Sequence, residues 1–171
     1  MTEKVLVTYA SRTGSTIGVA EKISEVLRAD GREVSVLPMQ NVNNLSLYDA
    51  LVLGSAIQDR SWLPEAMAFV QENQSVIAQK KTAMFAVCMT LAMKSGEQYR
   101  SSIADWVAPA RRIIHPVSEA IFAGALDISK IPSFGDRLKF RLSVLFGVWS
   151  EGDHRDWDAI EAWAKEFSSV L

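Results

Sequence analysis

The sequence predicts a doubly wound α/β fold: a three-layer sandwich whose five-stranded parallel sheet, in the order 2-1-3-4-5, carries helices on both faces. Short apolar runs such as Val5-Leu6-Val7 and Leu51-Val52-Leu53 suit strands buried on both sides. These runs alternate with amphipathic helical stretches, and that alternation implies parallel pairing through right-handed crossovers. No linker or repeat interrupts the pattern, so residues 1–171 are expected to form a single domain.

The first unit, Lys4 to Asp30, joins strand, loop and helix without a spacer. Val5, Leu6 and Val7 form the strand; from Thr16 onward Ala20, Ile23 and Leu27 recur at helical spacing, and Gly31 ends the helix as a left-handed stop. Between them lies Ser11-Arg12-Thr13-Gly14-Ser15-Thr16. Four hydroxyls, a glycine and the free amides of a helix start make a phosphate nest. The loop lacks the lysine of a Walker A loop and the spaced glycines of a dinucleotide fingerprint. Neutral donors with no adjacent lysine point to one monophosphate, although an ordinary capped turn would use the same residues.

Further along, Val34 to Leu37 reads as the second strand, followed by an irregular polar segment, Pro38 to Ser46. Tyr48 to Ser55 is the third strand. Ligands in such sheets sit beyond the carboxyl ends of strands at the switch point, so Gly54 to Trp62 is expected to wall the site. Leu63, Ala66, Met67 and Val70 mark a helix with Pro64 in its first turn. Lys81 to Val87 is the fourth strand, and Cys88 to Gly96 is a loop at the same edge. Tyr99, Ile103 and Trp106 space out a helix expected to end before Pro109, and Glu119 to Gly124 is the fifth strand. Trp157, Ile160, Trp163, Phe167 and Val170 give the closing helix, Asp156 to Leu171, a clean apolar stripe.

One stretch is left over, Phe134 to Trp149. As a helix it aligns Leu138, Leu142, Leu145 and Trp149, a stripe that packing on the sheet would explain. Arg137, Lys139 and Arg141 among the aromatics also fit an amphipathic element that touches lipid.

Composition narrows the function. A net charge of −2 argues against a broad nucleic-acid surface. The lone Cys88 forms no internal disulfide and, with no leader pattern in Met1 to Ala10, implies a reducing, cytoplasmic setting. A phospho-receiver domain would need acidic residues where Thr8-Tyr9-Ala10 and Gly54-Ser55-Ala56 stand. His115 and His154 are too isolated for a metal motif, and Cys88 reads as a small buried hydrophobe better than as a nucleophile. Without an acid–base pair, nucleophile or metal site, chemistry here would come from a cofactor.

The loop Ser11 to Thr16 resembles the Ser/Thr-x-Thr-Gly-x-Thr phosphate loop of flavodoxin-like flavoproteins at every fixed position, which implies FMN. Trp62, just beyond the third strand, is placed to stack on or border the isoalloxazine ring, with a core or helix-edge role as its alternative. The backbones of Ser55, Ala56, Ile57 and Gln58, and of Cys88, Met89, Thr90, Leu91 and Ala92, are likewise placed along the ring's polar edge.

Several further segments are similar to the menaquinone-dependent protoporphyrinogen IX dehydrogenases of that fold: Tyr48 to Ile57, Phe122-Ala123-Gly124-Ala125-Leu126, the basic apolar stretch after Gly135-Asp136-Arg137, and Asp156-Trp157. This implies an enzyme of heme biosynthesis that oxidises a porphyrinogen on FMN and passes electrons to a quinone, with 134–149 as a peripheral contact on the inner face of the cell membrane. Gln58-Asp59-Arg60-Ser61-Trp62 and the short Ser150 to Arg155 depart from that family on the expected substrate side. A small electron-carrying flavodoxin, and a flavin-free module that keeps the fold, are the competing expectations.

Overall fold

Residues 2–171 are described by the computed structural model, and Met1, where the leader reading begins, lies outside them. The main sheet contains β1 (Lys4–Ala10), β2 (Glu33–Pro38), β3 (Ala50–Gln58), β4 (Ser61–Trp62), β5 (Lys81–Cys88) and β6 (Ser118–Ala123). The long strands run β2-β1-β3-β5-β6, all parallel, which is the expected 2-1-3-4-5 order when only these five are counted. β4 is an addition. It folds back antiparallel on β3, pairing Ile57 with Trp62 and Gln58 with Ser61. Its turn holds Asp59 and Arg60 at φ 50° and 61°, the left-handed pair that matches the twist of a tight hairpin.

Each buried strand feeds two cores. Val5, Val7, Val52, Phe85 and Val87 face α1 (Ser15–Ala29) and α6 (Trp157–Val170), where they meet Val19, Ile23, Leu27, Trp163 and Phe167. The intervening residues Leu6, Leu51, Leu53 and Met84 face the opposite layer. That layer contains α2 (Pro64–Glu72), the single turn α3 (Gln74–Ile77) and α4 (Arg100–Ile114). Alternation within a fully apolar run is thus what makes the fold three-layered, each fully buried aliphatic chain contributing roughly 1.5–3 kcal/mol. Pro64 opens α2 as expected, and the Asp156 carboxylate caps α6 through the Ala159 amide at 2.9 Å.

Two expectations are overturned. α4 does not stop before Pro109 but runs through it to Ile114. The acceptor that Pro109 leaves without an amide is the carbonyl of exposed Asp105, while Val107, Ala110 and Ile114 are buried beyond and hold the helix to the sheet.

The second correction concerns α5 (Phe134–Leu145), which lies apart from the sheet. Its packed side is Phe140 and Val144, which with Trp149 cover a small cluster of Leu126, Ile128 and Ile131. Leu138, Leu142 and Leu145, expected to be the packed stripe, are 51%, 47% and 77% exposed. The excursion that carries α5 is closed at its base by β7 (Ala125–Leu126) and β8 (Gly152–Asp153), an antiparallel pair without a counterpart among the expected strands.

Candidate functional site

The loop between β1 and α1 owes its shape to Gly14, whose φ of 95° is left-handed. Its amide donates to Ser11 Oγ at 3.1 Å, and its carbonyl accepts from Ile17 at 3.1 Å and Gly18 at 3.4 Å. No side chain caps the start of α1. Thr16 is fully buried at that start, and its Oγ1 has no hydrogen-bond partner. A buried hydroxyl without a partner is costly, and here it stands beside helix-start amides that favour an anion. The residues present therefore fit a phosphate group at this point.

A cavity of about 600 Å³ opens beside the loop, at the carboxyl ends of the strands. It brings together Ser11, Arg12, Thr13 and Ser15 from the loop, Ala56, Ile57 and Gln58 from β3, and Met89 after β5. Gly14 and Thr16 shape the loop from beneath, outside the cavity lining.

The remaining expected residues lie elsewhere. Trp62 is 1% exposed and packs in the core under α2, so in this structure it presents no face for a ring to stack on. Ser55 is also buried; its hydroxyl accepts from the Leu63 amide at 3.1 Å and donates to the Ala56 carbonyl at 2.8 Å, which fixes the β3–β4–α2 corner. Cys88 is buried in β5. Thr90, Leu91 and Ala92 sit in a helical turn whose carbonyls crowd Gly96, so that the loop folds on itself behind the cavity.

The far wall was not foreseen. It consists of Leu126, Asp127, Ile131, Ser133, Asp136 and Phe140, all from the excursion. The one local sign was Ser133 three residues before Asp136, whose amide donates to Ser133 Oγ at 3.3 Å and marks the start of α5. Asp127 is held below the usual carboxylate range by the Ser129 hydroxyl and then by Lys130. At the opposite rim Arg12 grips Glu65 with both terminal nitrogens and lowers that carboxyl in the same way.

A flavodoxin-domain family profile matches residues 6–155. The chain belongs to the flavodoxin-domain family. It is an FMN-binding flavoprotein of the electron-transfer class, and the flavin-free alternative falls away. Fold likeness extends over the whole chain. Flavodoxin 2 from Bacillus cereus is 20% identical, with 98% of this chain and 99% of that one covered at a TM-score of 0.64. A short-chain flavodoxin associated with a bacterial microcompartment gives 15% identity, 99% coverage of both chains and the same TM-score of 0.64. The apo form of an NADH:FMN oxidoreductase matches at 13% identity and a TM-score of 0.60, with 99% of this chain and 90% of that one covered. At these identities the likeness is one of fold.

Proposed function

We propose that this flavoprotein is a membrane-facing oxidoreductase that oxidises a porphyrinogen, protoporphyrinogen IX by its sequence resemblance, and delivers the electrons to a lipid-soluble quinone. One observation carries the reading. Phe134, Leu138, Leu142, Leu145 and Phe146 project from α5 on the side away from its packed face, while Phe140 and Asp136 of the same helix line the cavity. At 100° per residue these five span one outward stripe, with Arg141 on one edge and Lys139 on the other. Exposed aliphatic and aromatic groups flanked by cations suit the lipid interface, each cation adding on the order of 1 kcal/mol. Arg137 does not share that role, because its Nε donates to the Ile131 carbonyl.

FMN, when bound, supplies the redox chemistry. The loop Ser11 to Thr16 would hold the phosphate by its amides and hydroxyls, and Ile57, Met89, Leu126 and Phe140 would offer apolar walls that exclude water from the ring. No helix among the described residues is long and apolar enough to cross a membrane, so the contact would be peripheral. The second reading, a diffusing electron carrier, is favoured by the end-to-end match with flavodoxins.

Sedimentation with anionic vesicles, followed by quinone reduction, separates the two. Lys139→Gln with Arg141→Gln and Leu142→Ser should abolish vesicle binding and lower quinone turnover while leaving FMN bound. Unchanged sedimentation and turnover in that variant would leave the carrier.

A further inference from the structure

Beyond the excursion, Arg155 stands two residues after the end of β8 and faces back toward the phosphate loop. The guanidinium is fixed on three sides. Nε and Nη2 donate to the two carboxylate oxygens of Asp153 at 2.7 and 2.8 Å, the Trp157 ring lies 4.4 Å beneath the guanidinium carbon, and Nη1 donates to the Ser15 carbonyl at 3.1 Å. The side chain is 16% exposed, so its charge is poorly screened from the loop it touches. Asp153 is itself tied down by β7–β8 pairing opposite Ala125, and the His154 amide donates to the Gly124 carbonyl at 3.2 Å.

The absence of a Cβ at residue 18 leaves the space in which the guanidinium sits. A Cβ at Gly18 would stand 2.4 Å from Arg155 Nη1. Gly18 lies in the interior of α1, where its φ is ordinary and alanine would be the better helix former. The backbone therefore needs no glycine here, and a Cβ would enter the space the guanidinium now fills.

We infer that Arg155, seated in the Gly18 notch, is a positioning residue for the cofactor phosphate: it fixes the first turn of α1 through Ser15 and adds a positive charge behind a nest whose own cation, Arg12, is paired with Glu65. The inference rests on the reading that Ser11 to Thr16 binds that phosphate. It assigns no contact between Arg155 and the phosphate, whose direct partners are the amides and hydroxyls in front. Asp153 offsets part of the charge, and this makes the effect moderate.

Titrating apoprotein with FMN and, separately, with riboflavin tests the proposal, because the two flavins differ only in the phosphate. Arg155→Gln removes the charge; Gly18→Ala keeps it but displaces it, and forms a helix at least as well as the wild type. Both variants should bind FMN roughly tenfold more weakly with riboflavin affinity unchanged. An Arg155→Gln protein that keeps the wild-type ratio of the two affinities, or loses both equally, overturns the proposal and shows a purely structural clasp. Should Gly18→Ala alone keep the ratio, the notch is not the seat that matters and the assignment fails. Wild-type protein that binds both flavins alike would instead remove the phosphate reading of the loop itself.

Discussion

Arg12 and Glu65 close a two-pronged bridge from the phosphate loop to the first turn of α2, one of its bonds measuring 2.9 Å between Nη2 and Oε2. Both side chains are nearly half exposed, at 48% and 44%, so the pair contributes less than about 1 kcal/mol to stability. Its larger effect is on the cavity, where Glu65 neutralises the one cation of the loop. Glu65→Gln should leave the melting temperature nearly unchanged and tighten FMN about threefold at low salt. Calorimetric titration of the variant checks the direction; a weaker complex would show that Glu65 holds Arg12 where the phosphate needs it.

Thr16 sets cofactor binding against apoprotein stability. Replacing its partnerless buried hydroxyl by a methyl group of the same shape removes an unsatisfied polar atom, so Thr16→Val apoprotein should be more stable by about 1 kcal/mol. On the reading that this hydroxyl serves the phosphate proposed for the loop, the same change removes a hydrogen bond to a charged group, worth about 1.5–3 kcal/mol, and FMN affinity should fall by tenfold or more. Denaturant unfolding and flavin titration on one preparation would read both signs.

The two sides of α5 should respond oppositely to mutation. Leu142→Ser on the outward stripe changes stability by less than about 0.5 kcal/mol. Phe140→Ala removes the ring that meets Trp149 at a centroid distance of 6.0 Å and should loosen the excursion locally. Hydrogen exchange over 127–151 would show rapid opening in the second variant and wild-type protection in the first.

Gly54 and Phe85 pair across β3 and β5, and a Cβ at Gly54 would lie 2.0 Å from the Phe85 ring. Gly54→Ala should therefore destabilise by about 2–3 kcal/mol through overpacking. Combining it with Phe85→Leu should recover part of the loss, as a double-mutant cycle in urea would measure. Purely additive losses would mean that the ring moves aside without strain.

Acid should dissolve one tie between α1 and α6. Glu161 bridges Lys22 and Lys165, each at 2.8 Å, and these two lysines pull its carboxyl down to about 2 from the ordinary 4.5. A carboxyl depressed on folding adds stability above its unfolded pKa and loses it as pH falls through the folded value. The difference in melting temperature between the wild type and Glu161→Gln should thus be constant near neutrality, shrink below about pH 4.5 and vanish near pH 2.

Much of this architecture was legible from periodicity. Runs such as Val5-Leu6-Val7 can be buried on both faces only within a covered parallel sheet, and the hydroxyl loop before an amphipathic helix marked one wall of the cavity. The same reasoning failed where a contact is distant in sequence or shared between elements. The place of Trp62 just beyond the third strand suggested a flavin contact, but the hairpin that turns it inward depends on Asp59 and Arg60 both being left-handed, a conformation that aspartate tolerates and arginine does not advertise. In α5 the exposed stripe is more regular than the packed one, so periodicity chose the wrong face. The glycine at position 18 gave no signal, since its reason lies 137 residues away in Arg155.

The pairing of Leu126 with Gly152 has a consequence for how such a chain can change length. Residues 127–151 leave and re-enter the fold at neighbouring points, so the sheet is indifferent to what they form. Such a graft can be lengthened, replaced or removed with only the modest entropy of closing a loop at stake. A chain rejoined from Leu126 to Gly152 through a short turn would keep β1, α1 and the phosphate loop, and would lose the far wall of the cavity beyond Leu126 together with the outward stripe of α5. The choice between free carrier and anchored enzyme would then rest on one interchangeable insert.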